Sequence, residues 1–205
     1  KVRDYVPLYA CMAHRGSTYW APEETEAAWR WARNMGADYL ESDLQATKDG
    51  VVLANHDENL KRTTNIEDVF SDEVPTIRKD FYRSFRNADG TQHFTEQDIE
   101  EQYQRDKKDF RSNYTLSYYY AELLMLDAGK WFNDATPEQE RASFAAKHNG
   151  KVVYDANGVP SILYSDGLYV SALQDQINYA MGKKLKRDAN GRRVLTYKVK
   201  AEYQN

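Results

Sequence analysis

Cysteine is almost absent from this 205-residue chain, in which Cys11 is the only one, so no disulfide can form within the chain. Cys11 lies in an apolar run, which predicts a buried thiol. No apolar stretch approaches the ~20 residues that span a bilayer, and no segment has the pattern of a signal peptide. The chain also has no excess of positive charge, because its 28 lysines and arginines are outnumbered by 32 aspartates and glutamates. That balance disfavours nucleic acid as a partner, since its binding depends on cationic contacts to phosphates.

The chain does contain the material for a folded core. Hydrophobic residues make up 41% of it, and 16 residues are tyrosine, which excludes the composition of a disordered protein. A chain of this length can form one domain with a sizeable core, or the larger part of one. It begins at Lys1 instead of methionine, which suggests a cleaved precursor or a trimmed sequence.

The first third of the chain has the pattern of a βαβ unit. Residues 8–13 are apolar on both faces, as in a buried parallel strand, and they end at His14. Residues 22–35 predict a helix that has proline in its first turn and ends at Gly36. The side chains expected on its inner face are Ala27, Trp31 and Met35, which recur four residues apart, with Ala28 and Ala32 beside them.

The second predicted strand, residues 38–44, carries two acidic side chains. Its period of two places Glu41 and Asp43 on one face, where both carboxylates can share a cation. A turn at residues 48–50 and a short strand at residues 51–54 then return the chain to His56, near the acidic pair. Because α/β barrels place their sites at the carboxyl ends of strands, the pattern predicts an α/β fold with a site there.

These polar side chains suit metal-assisted phosphodiester chemistry. Imidazole titrates near neutral pH, so one of His14 and His56 can remove a proton while the other donates one. The guanidinium of Arg15 matches a phosphate with two N–H groups. The carboxylates of Glu41 and Asp43 are hard oxygen ligands that suit Ca²⁺ or Mg²⁺.

Three neighbouring features have two interpretations each. Arg15 either binds phosphate or merely pairs with Glu41 or Asp43. Glu23 either interacts only with the dipole of the predicted helix or also holds a site residue in place without binding metal or phosphate itself. The two roles are compatible. Residues 62–64 either orient the loop that carries His56 or form a simple polar turn.

The middle of the chain does not have the pattern of a barrel. Residues 95–110 predict a helix, and the aromatic cluster Tyr118–Tyr120 predicts a packed helix flank in preference to a stacking surface for a sugar or base. Asn157-Gly158 between two apolar runs predicts a β-hairpin over residues 152–164, and a second hairpin is expected over residues 188–195. We expect these hairpins to cover the mouth of a barrel.

Several short motifs occur in order between residues 13 and 64, namely HRG, APE followed by Thr25, GADYLESD, TKDG, HD and LKRTT. Together they resemble the N-terminal signature of the glycerophosphodiester phosphodiesterases, which are (β/α)8 TIM barrels similar to phosphatidylinositol-specific phospholipases C. A weaker similarity continues in LDAG with WF at residues 126–132 and in VSALQD at residues 170–175. Glu24 departs from the asparagine that the family commonly has at that position.

The resemblance implies a TIM barrel of the phospholipase C-like phosphodiesterase type, of which this chain holds only the N-terminal part, with an α+β insertion. Residues 1–64 would form the opening βαβ portion, residues 65–169 the insertion, and residues 170–205 a barrel helix and a further hairpin. A closed barrel typically needs about 250 residues, which exceeds the length of this chain.

The resemblance also implies roles for the site residues. His14 and His56 would be the general acid and base, Arg15 would bind the phosphate, and Glu41 and Asp43 would ligate a divalent metal, Ca²⁺ or Mg²⁺. Glu23 would contact these residues and hold them in place without binding the metal or the phosphate itself. The implied activity is metal-dependent hydrolysis of glycerophosphodiesters to glycerol 3-phosphate and an alcohol, with lysophospholipid headgroups as a substrate variant. A glycerol hydroxyl would attack phosphorus first, and water would then open the cyclic phosphate.

The family's third metal ligand, a glutamate in an E-x-K motif, is not found in this chain. The nearest string is residues 195–200, which has Lys198 where glutamate is needed. Either the E-x-K strand lies beyond Asn205, or the chain is an inactive relative. The alternative function is therefore a non-catalytic binding module built from a partial barrel, with the tyrosine-rich middle as its partner surface. Family habit and the non-methionine start suggest an extracytoplasmic bacterial location.

Overall fold

The computed structural model describes residues 8–129, 131–132, 151–154, 160–163 and 168–182 of the chain. Its helices are α1 (Glu26–Asn34), α2 (Ile66–Val69), α3 (Ile77–Ser84), α4 (Glu96–Asp109), α5 (Tyr120–Leu123) and α6 (Leu173–Ala180). Its strands are β1 (Met12–Ala13), β2 (Tyr39–Leu40), β3 (Leu44–Ala46), β4 (Val52–Ala54), β5 (Lys151–Tyr154) and β6 (Pro160–Leu163). None of the helices described has both the length and the apolar character that a bilayer crossing needs.

Strands β1 and β2 confirm the predicted βαβ unit, because they pair in parallel, with Met12 opposite Tyr39, and α1 connects them. The strand predicted over residues 8–13 is shorter than expected. Tyr9 has a φ of 63°, which breaks an extended chain, and its side chain is exposed. Cys11 is also exposed, so the prediction of a buried thiol is wrong.

Helix α1 begins at Glu26, later than predicted, because the side chain of Thr25 caps it by accepting from the Ala28 N–H. The predicted inner face is confirmed at Ala28 and Ala32, which are buried together with Trp29. It is wrong at Trp31 and Met35, which are 52% and 62% exposed. The buried face is therefore centred on Trp29, which packs against Tyr179 of α6 with ring centroids 6.3 Å apart.

The single strand predicted over residues 38–44 is split into β2 and β3. Residues 41–43 leave the strand because the carboxylate of Glu24 accepts from the hydroxyl of Ser42 and the N–H of Asp43, at 2.6 and 2.8 Å. Strand β3 then pairs antiparallel with β4, with Leu44 opposite Ala54. This hairpin confirms the predicted turn at residues 48–50 and the short strand after it.

The main hydrophobic core joins parts of the chain that are far apart in sequence. Its buried side chains are Leu53, Leu60, Ile66, Tyr118, Tyr120, Leu123, Leu124, Leu126, Ala128, Tyr169, Val170 and Ala172. Tyr118 and Tyr120 are at most 1% exposed, which confirms the packed helix flank and excludes stacking of these rings on a ligand. The Ala54 N–H donates to the Ser171 carbonyl at 2.8 Å and so ties β4 to the segment before α6. The division at residues 64 and 169 stays a prediction.

Helix α4 confirms the helix predicted over residues 95–110. It begins after Thr95, whose side chain accepts from the Asp98 N–H while the Asp98 carboxylate accepts from the Thr95 N–H. This reciprocal capping satisfies two N–H groups that have no partner within the helix. The antiparallel pair of β5 and β6 likewise confirms the hairpin predicted over residues 152–164. The second hairpin, predicted over residues 188–195, lies outside the described residues.

A buried ion-pair network joins α3 to the middle of the chain. The guanidinium of Arg78, which is 1% exposed, donates to both carboxylate oxygens of Glu122 at 2.9 and 2.8 Å and to the Ser117 carbonyl at 2.7 Å. It also lies 3.3 Å from Asp106. Burial alone would lower the pKa of Arg78, but the carboxylates of Glu122 and Asp106 raise it above its ordinary value. Arg78 is therefore a permanent cation inside the protein.

Replacing Gly16 with alanine should destabilise the protein more than the same change at Gly36. The two glycines have φ values of +89° and +88°, so both variants carry a left-handed backbone cost of about 1–2 kcal/mol. A Cβ atom at Gly16 would lie 2.6 Å from the Cβ of Ala28, whereas one at Gly36 would have nothing within 4 Å. Overpacking should therefore add about 1–3 kcal/mol at Gly16. Urea unfolding measures both losses, and equal values would contradict the close packing of Gly16 against α1.

Candidate active site

Three predicted site residues meet where β1 and β2 end. His14, Glu41 and Asp43 each offer one ligand atom, and these atoms all lie within 4.8 Å of one another. The parallel pairing continues past the two strands, since the Glu41 N–H donates to the Ala13 carbonyl at 3.1 Å. His14 and Glu41 therefore leave the same edge of the strand pair. Two carboxylates beside an imidazole form a donor set that suits a divalent cation.

Arg15 contacts this group directly. Its φ of 58° is left-handed, and its backbone N–H donates to Glu41 Oε2 at 2.9 Å. Its side-chain Nε lies 3.0 Å from Asp43 Oδ2, an ion pair that lacks hydrogen-bond geometry. Its Nη1 lies 3.4 Å from Glu23 Oε1. The pairing of Arg15 with an acidic residue is thus observed, and phosphate binding by Arg15 stays a prediction.

A chain of ion pairs runs from Arg15 to His56. Glu23 Oε1, which contacts Arg15, also accepts from Arg62 Nη2 at 2.6 Å. Arg62 Nε donates to Asp57 Oδ2 at 2.7 Å, and Asp57 Oδ1 lies 2.5 Å from His56 Nδ1. These contacts favour the interpretation in which Arg62 orients the loop that carries His56. They also place Glu23 beside the site as well as before α1.

His56 lies outside the group of three mutually close ligand atoms. Its neighbour Asn55 donates its backbone N–H to the Asp43 carbonyl at 3.0 Å, so the β3–β4 pairing brings His56 to the same end of the protein. The hydrogen bond from Arg62, assisted by His56, holds the pKa of Asp57 below its ordinary value. Asp57 is therefore a carboxylate that contacts Nδ1 of His56, which leaves Nε2 as the ring nitrogen that Asp57 does not contact.

Glu24 lies directly behind the acidic pair and is 4% exposed. Its carboxylate holds the Ser42 hydroxyl and the Asp43 N–H, and its own N–H donates to the Arg15 carbonyl at 3.1 Å. Burial raises the pKa of Glu24 to about 7, although both hydrogen bonds to its carboxylate oppose the shift. In the sequence alone, Glu24 is identified only as a departure from the asparagine that the family commonly has at that position. No periodic pattern could have connected it to Ser42, because the two lie on different loops.

Trp131 is a second residue that the sequence did not place at the site. Its ring centroid lies 6.0 Å from the guanidinium carbon of Arg62, and its indole N–H donates to the Ala128 carbonyl at 3.1 Å. The LDAG and WF motifs therefore meet the ion-pair chain at Arg62. At this distance the ring attracts the guanidinium, which also reaches Glu23 and Asp57.

The third metal ligand expected from an E-x-K motif is still missing. Within the described part of the chain, no third carboxylate joins the group formed by His14, Glu41 and Asp43. The string at residues 195–200 that contains Lys198 lies outside the described residues.

The chain resembles several known proteins. It matches the model of the glycerophosphoryl diester phosphodiesterase family over residues 14–177. It is 29% identical over 133 residues to a glycerophosphodiester phosphodiesterase of Bacillus subtilis, a match that covers 65% of this chain and 30% of the relative. A second glycerophosphodiester phosphodiesterase, from Caldanaerobacter subterraneus, is 48% identical over 61 residues, which cover 30% of this chain and 25% of the relative.

A solved structure of a glycerophosphodiester phosphodiesterase from Agrobacterium tumefaciens is also similar. The two chains are 22% identical with a TM-score of 0.45, over 85% of this chain and 43% of the other. In all three cases the match spans less than half of the relative's own length.

Proposed function

Because this chain belongs to the glycerophosphoryl diester phosphodiesterase family, we propose that it hydrolyses glycerophosphodiesters to glycerol 3-phosphate and an alcohol. The observation that carries the proposal is the meeting of His14, Glu41 and Asp43 within 4.8 Å. Arg15 lies at their side, 3.0 Å from Asp43. The site thus combines ligands for a cation, a guanidinium for a phosphate and an imidazole for proton transfer.

The donor set fits a divalent cation, and Glu41 and Asp43 would hold it. Asp43 Oδ2 is buried and makes no hydrogen bond in the structure, and its partner Arg15 only approaches it as an ion. A bound Ca²⁺ or Mg²⁺ would polarise a phosphoryl oxygen and orient a glycerol hydroxyl. His14 lies close enough to the carboxylates either to ligate the cation or to work beside it.

Proton transfer is assigned to the two histidines. In this proposal one imidazole removes the proton of a glycerol hydroxyl as its oxygen attacks phosphorus, and the other protonates the departing alkoxide. Water then opens the cyclic phosphate with the two roles exchanged. The Asp57 carboxylate, held by Arg62, keeps the ring of His56 oriented.

Release of glycerol 3-phosphate tests the proposal. The purified chain is incubated with glycerophosphocholine and, separately, with lysophosphatidylcholine, in Ca²⁺, in Mg²⁺ or in EDTA. We expect glycerol 3-phosphate from glycerophosphocholine with at least one cation and none in EDTA, because the carboxylates cannot themselves polarise the phosphate. Release of choline from lysophosphatidylcholine, which would leave the acylated glycerol phosphate, would extend the substrate class to lysophospholipids. Hydrolysis that persists in EDTA, or none with either cation, would contradict the proposal.

Replacing Arg62 with glutamine should lower kcat by about tenfold or more, because partners that orient a site residue are commonly worth 10–100-fold in activity. The variant removes the guanidinium that joins Glu23 to Asp57, so His56 loses its fixed orientation. Arg111→Gln is the matched control, since Arg111 is exposed and has no part in this chain of ion pairs. Steady-state kinetics at saturating substrate measure both variants, and equal kcat values would contradict a role for Arg62.

The non-catalytic binding module has no observation in its favour. Two of the tyrosines that would have formed its partner surface, Tyr118 and Tyr120, are part of the core. An extracytoplasmic location remains a proposal.

A further inference from the structure

Glu24 determines the path of the chain through the candidate cation site. After β2 the backbone would otherwise continue as a strand, in which Glu41 and Asp43 share a face but Ser42 points away. Both hydrogen bonds of the Glu24 carboxylate fall on this segment, one on the Ser42 side chain and one on the Asp43 backbone. Apart from the Asn55 N–H, which donates to the Asp43 carbonyl, the segment at Ser42 and Asp43 is therefore held by a side chain from the loop before α1.

We propose that Glu24 is a positioning residue of the cation site, which holds residues 41–43 in the conformation that brings both candidate ligand carboxylates beside His14. The identity of the ligand as a divalent cation rests on the proposed function. The positioning itself rests on the two hydrogen bonds and on burial, because a carboxylate that is 4% exposed needs partners and finds them on this segment.

Glu24 also connects Arg15 to the Ser42–Asp43 segment. Its N–H donates to the Arg15 carbonyl, so the left-handed Arg15 and the Ser42–Asp43 segment are both fastened to one residue. The side chain of Glu24 thus reaches Ser42 and Asp43 together.

A pair of uncharged variants separates hydrogen bonding from charge. Glu24→Gln keeps an acceptor for the Asp43 N–H and can still bond to Ser42, whereas Glu24→Met has a similar size and no comparable acceptor. Both variants lack the carboxylate charge, so any difference between them reports the hydrogen bonds. Binding of Ca²⁺ alone to the whole 205-residue chain is measured by calorimetry, and melting in EDTA shows that each variant is folded.

We expect Glu24→Met to bind Ca²⁺ about 10–100-fold more weakly than the parent chain, as is usual when a partner behind a metal ligand is lost. Glu24→Gln should recover most of that affinity, and excess Ca²⁺ should restore hydrolysis by Glu24→Met. A merely structural role would lower the melting temperature without this rescue by glutamine or by Ca²⁺. Equal Ca²⁺ affinity of the two variants would overturn the proposal.

Amide hydrogen exchange provides a test that needs no cation. The Asp43 N–H should exchange at least about tenfold faster in Glu24→Met than in Glu24→Gln, because only glutamine still accepts from it. If the parent chain binds neither Ca²⁺ nor Mg²⁺, the proposed cation site fails, and the exchange rates alone decide the positioning role. Equal rates at Asp43 would then overturn it, and faster exchange in Glu24→Met would support it.

Discussion

Replacing His14 with alanine is expected to lower kcat for glycerophosphodiester hydrolysis by about 10²–10⁴-fold, the range that a general acid or base contributes. His14 follows β1 and lies beside both acidic side chains, where a reacting phosphodiester would be bound. His93→Ala is the matched control, because His93 is exposed and contacts Asn87, far from these residues in the sequence. Steady-state kinetics of both variants measure the effect, and full activity in His14→Ala would contradict it.

Calcium dependence distinguishes the two roles open to His14. If its imidazole transfers a proton, saturating Ca²⁺ should leave kcat of His14→Ala low, and Ca²⁺ affinity should change little. If it is only a ligand, affinity should fall and excess Ca²⁺ should recover the rate. We expect the first result, because Glu41 and Asp43 already supply two oxygen ligands of the kind that Ca²⁺ prefers.

Replacing Arg78 with methionine is expected to lower the free energy of unfolding by about 3–5 kcal/mol, the usual cost of removing one partner of a buried ion pair. Glu122, which is 3% exposed, would lose both hydrogen bonds from the guanidinium, and the Ser117 carbonyl would lose its donor. Asp106 would keep Lys48, whose Nζ lies 3.1 Å away. The loss should therefore come mainly from Glu122.

Arg83 offers a matched control for Arg78 on the same helix. Its guanidinium pairs with Asp80 and Glu96, but its side chain is 41% exposed, so solvent weakens both pairs. Arg83→Met should cost less than about 1 kcal/mol. Guanidinium chloride unfolding of the two variants gives the comparison. Similar losses in the free energy of unfolding would contradict a larger contribution from the buried ion pairs of Arg78 than from the exposed ones of Arg83.

Local signals explain the elements that the sequence predicted well. The TKDG turn produces the β3–β4 hairpin through contacts within a few residues, and Gly50 has a left-handed φ of 74°. Helix α4 follows from Thr95 and Asp98, which cap it three residues apart. The meeting of His14 with Glu41 and Asp43 was also predictable, because parallel pairing of two short strands places their ends at one edge.

Contacts between distant residues explain what the sequence could not show. The break after β2 depends on Glu24, which lies on another loop and competes with the strand for the Asp43 N–H. The burial of Arg78 depends on Glu122, and hydrophobic patterns place an arginine on the surface. The burial of Trp29 on α1 depends on Tyr179, against which its ring packs. In each case the partner residue is too far away in the sequence for a local pattern to predict the contact.

The tie between β4 and Ser171 sets the order in which the protein can assemble. A contact between residues far apart in sequence requires closure of a long loop, which slows folding. A ribosome adds about 5–20 residues per second, so Leu53 is synthesised several seconds before Ala172, its bridge partner in the core. During that interval the hairpin that leads from Asp43 to His56 lacks the part of its apolar cover that residues 169–172 supply. The candidate site is therefore synthesised before part of the segment that covers its hairpin.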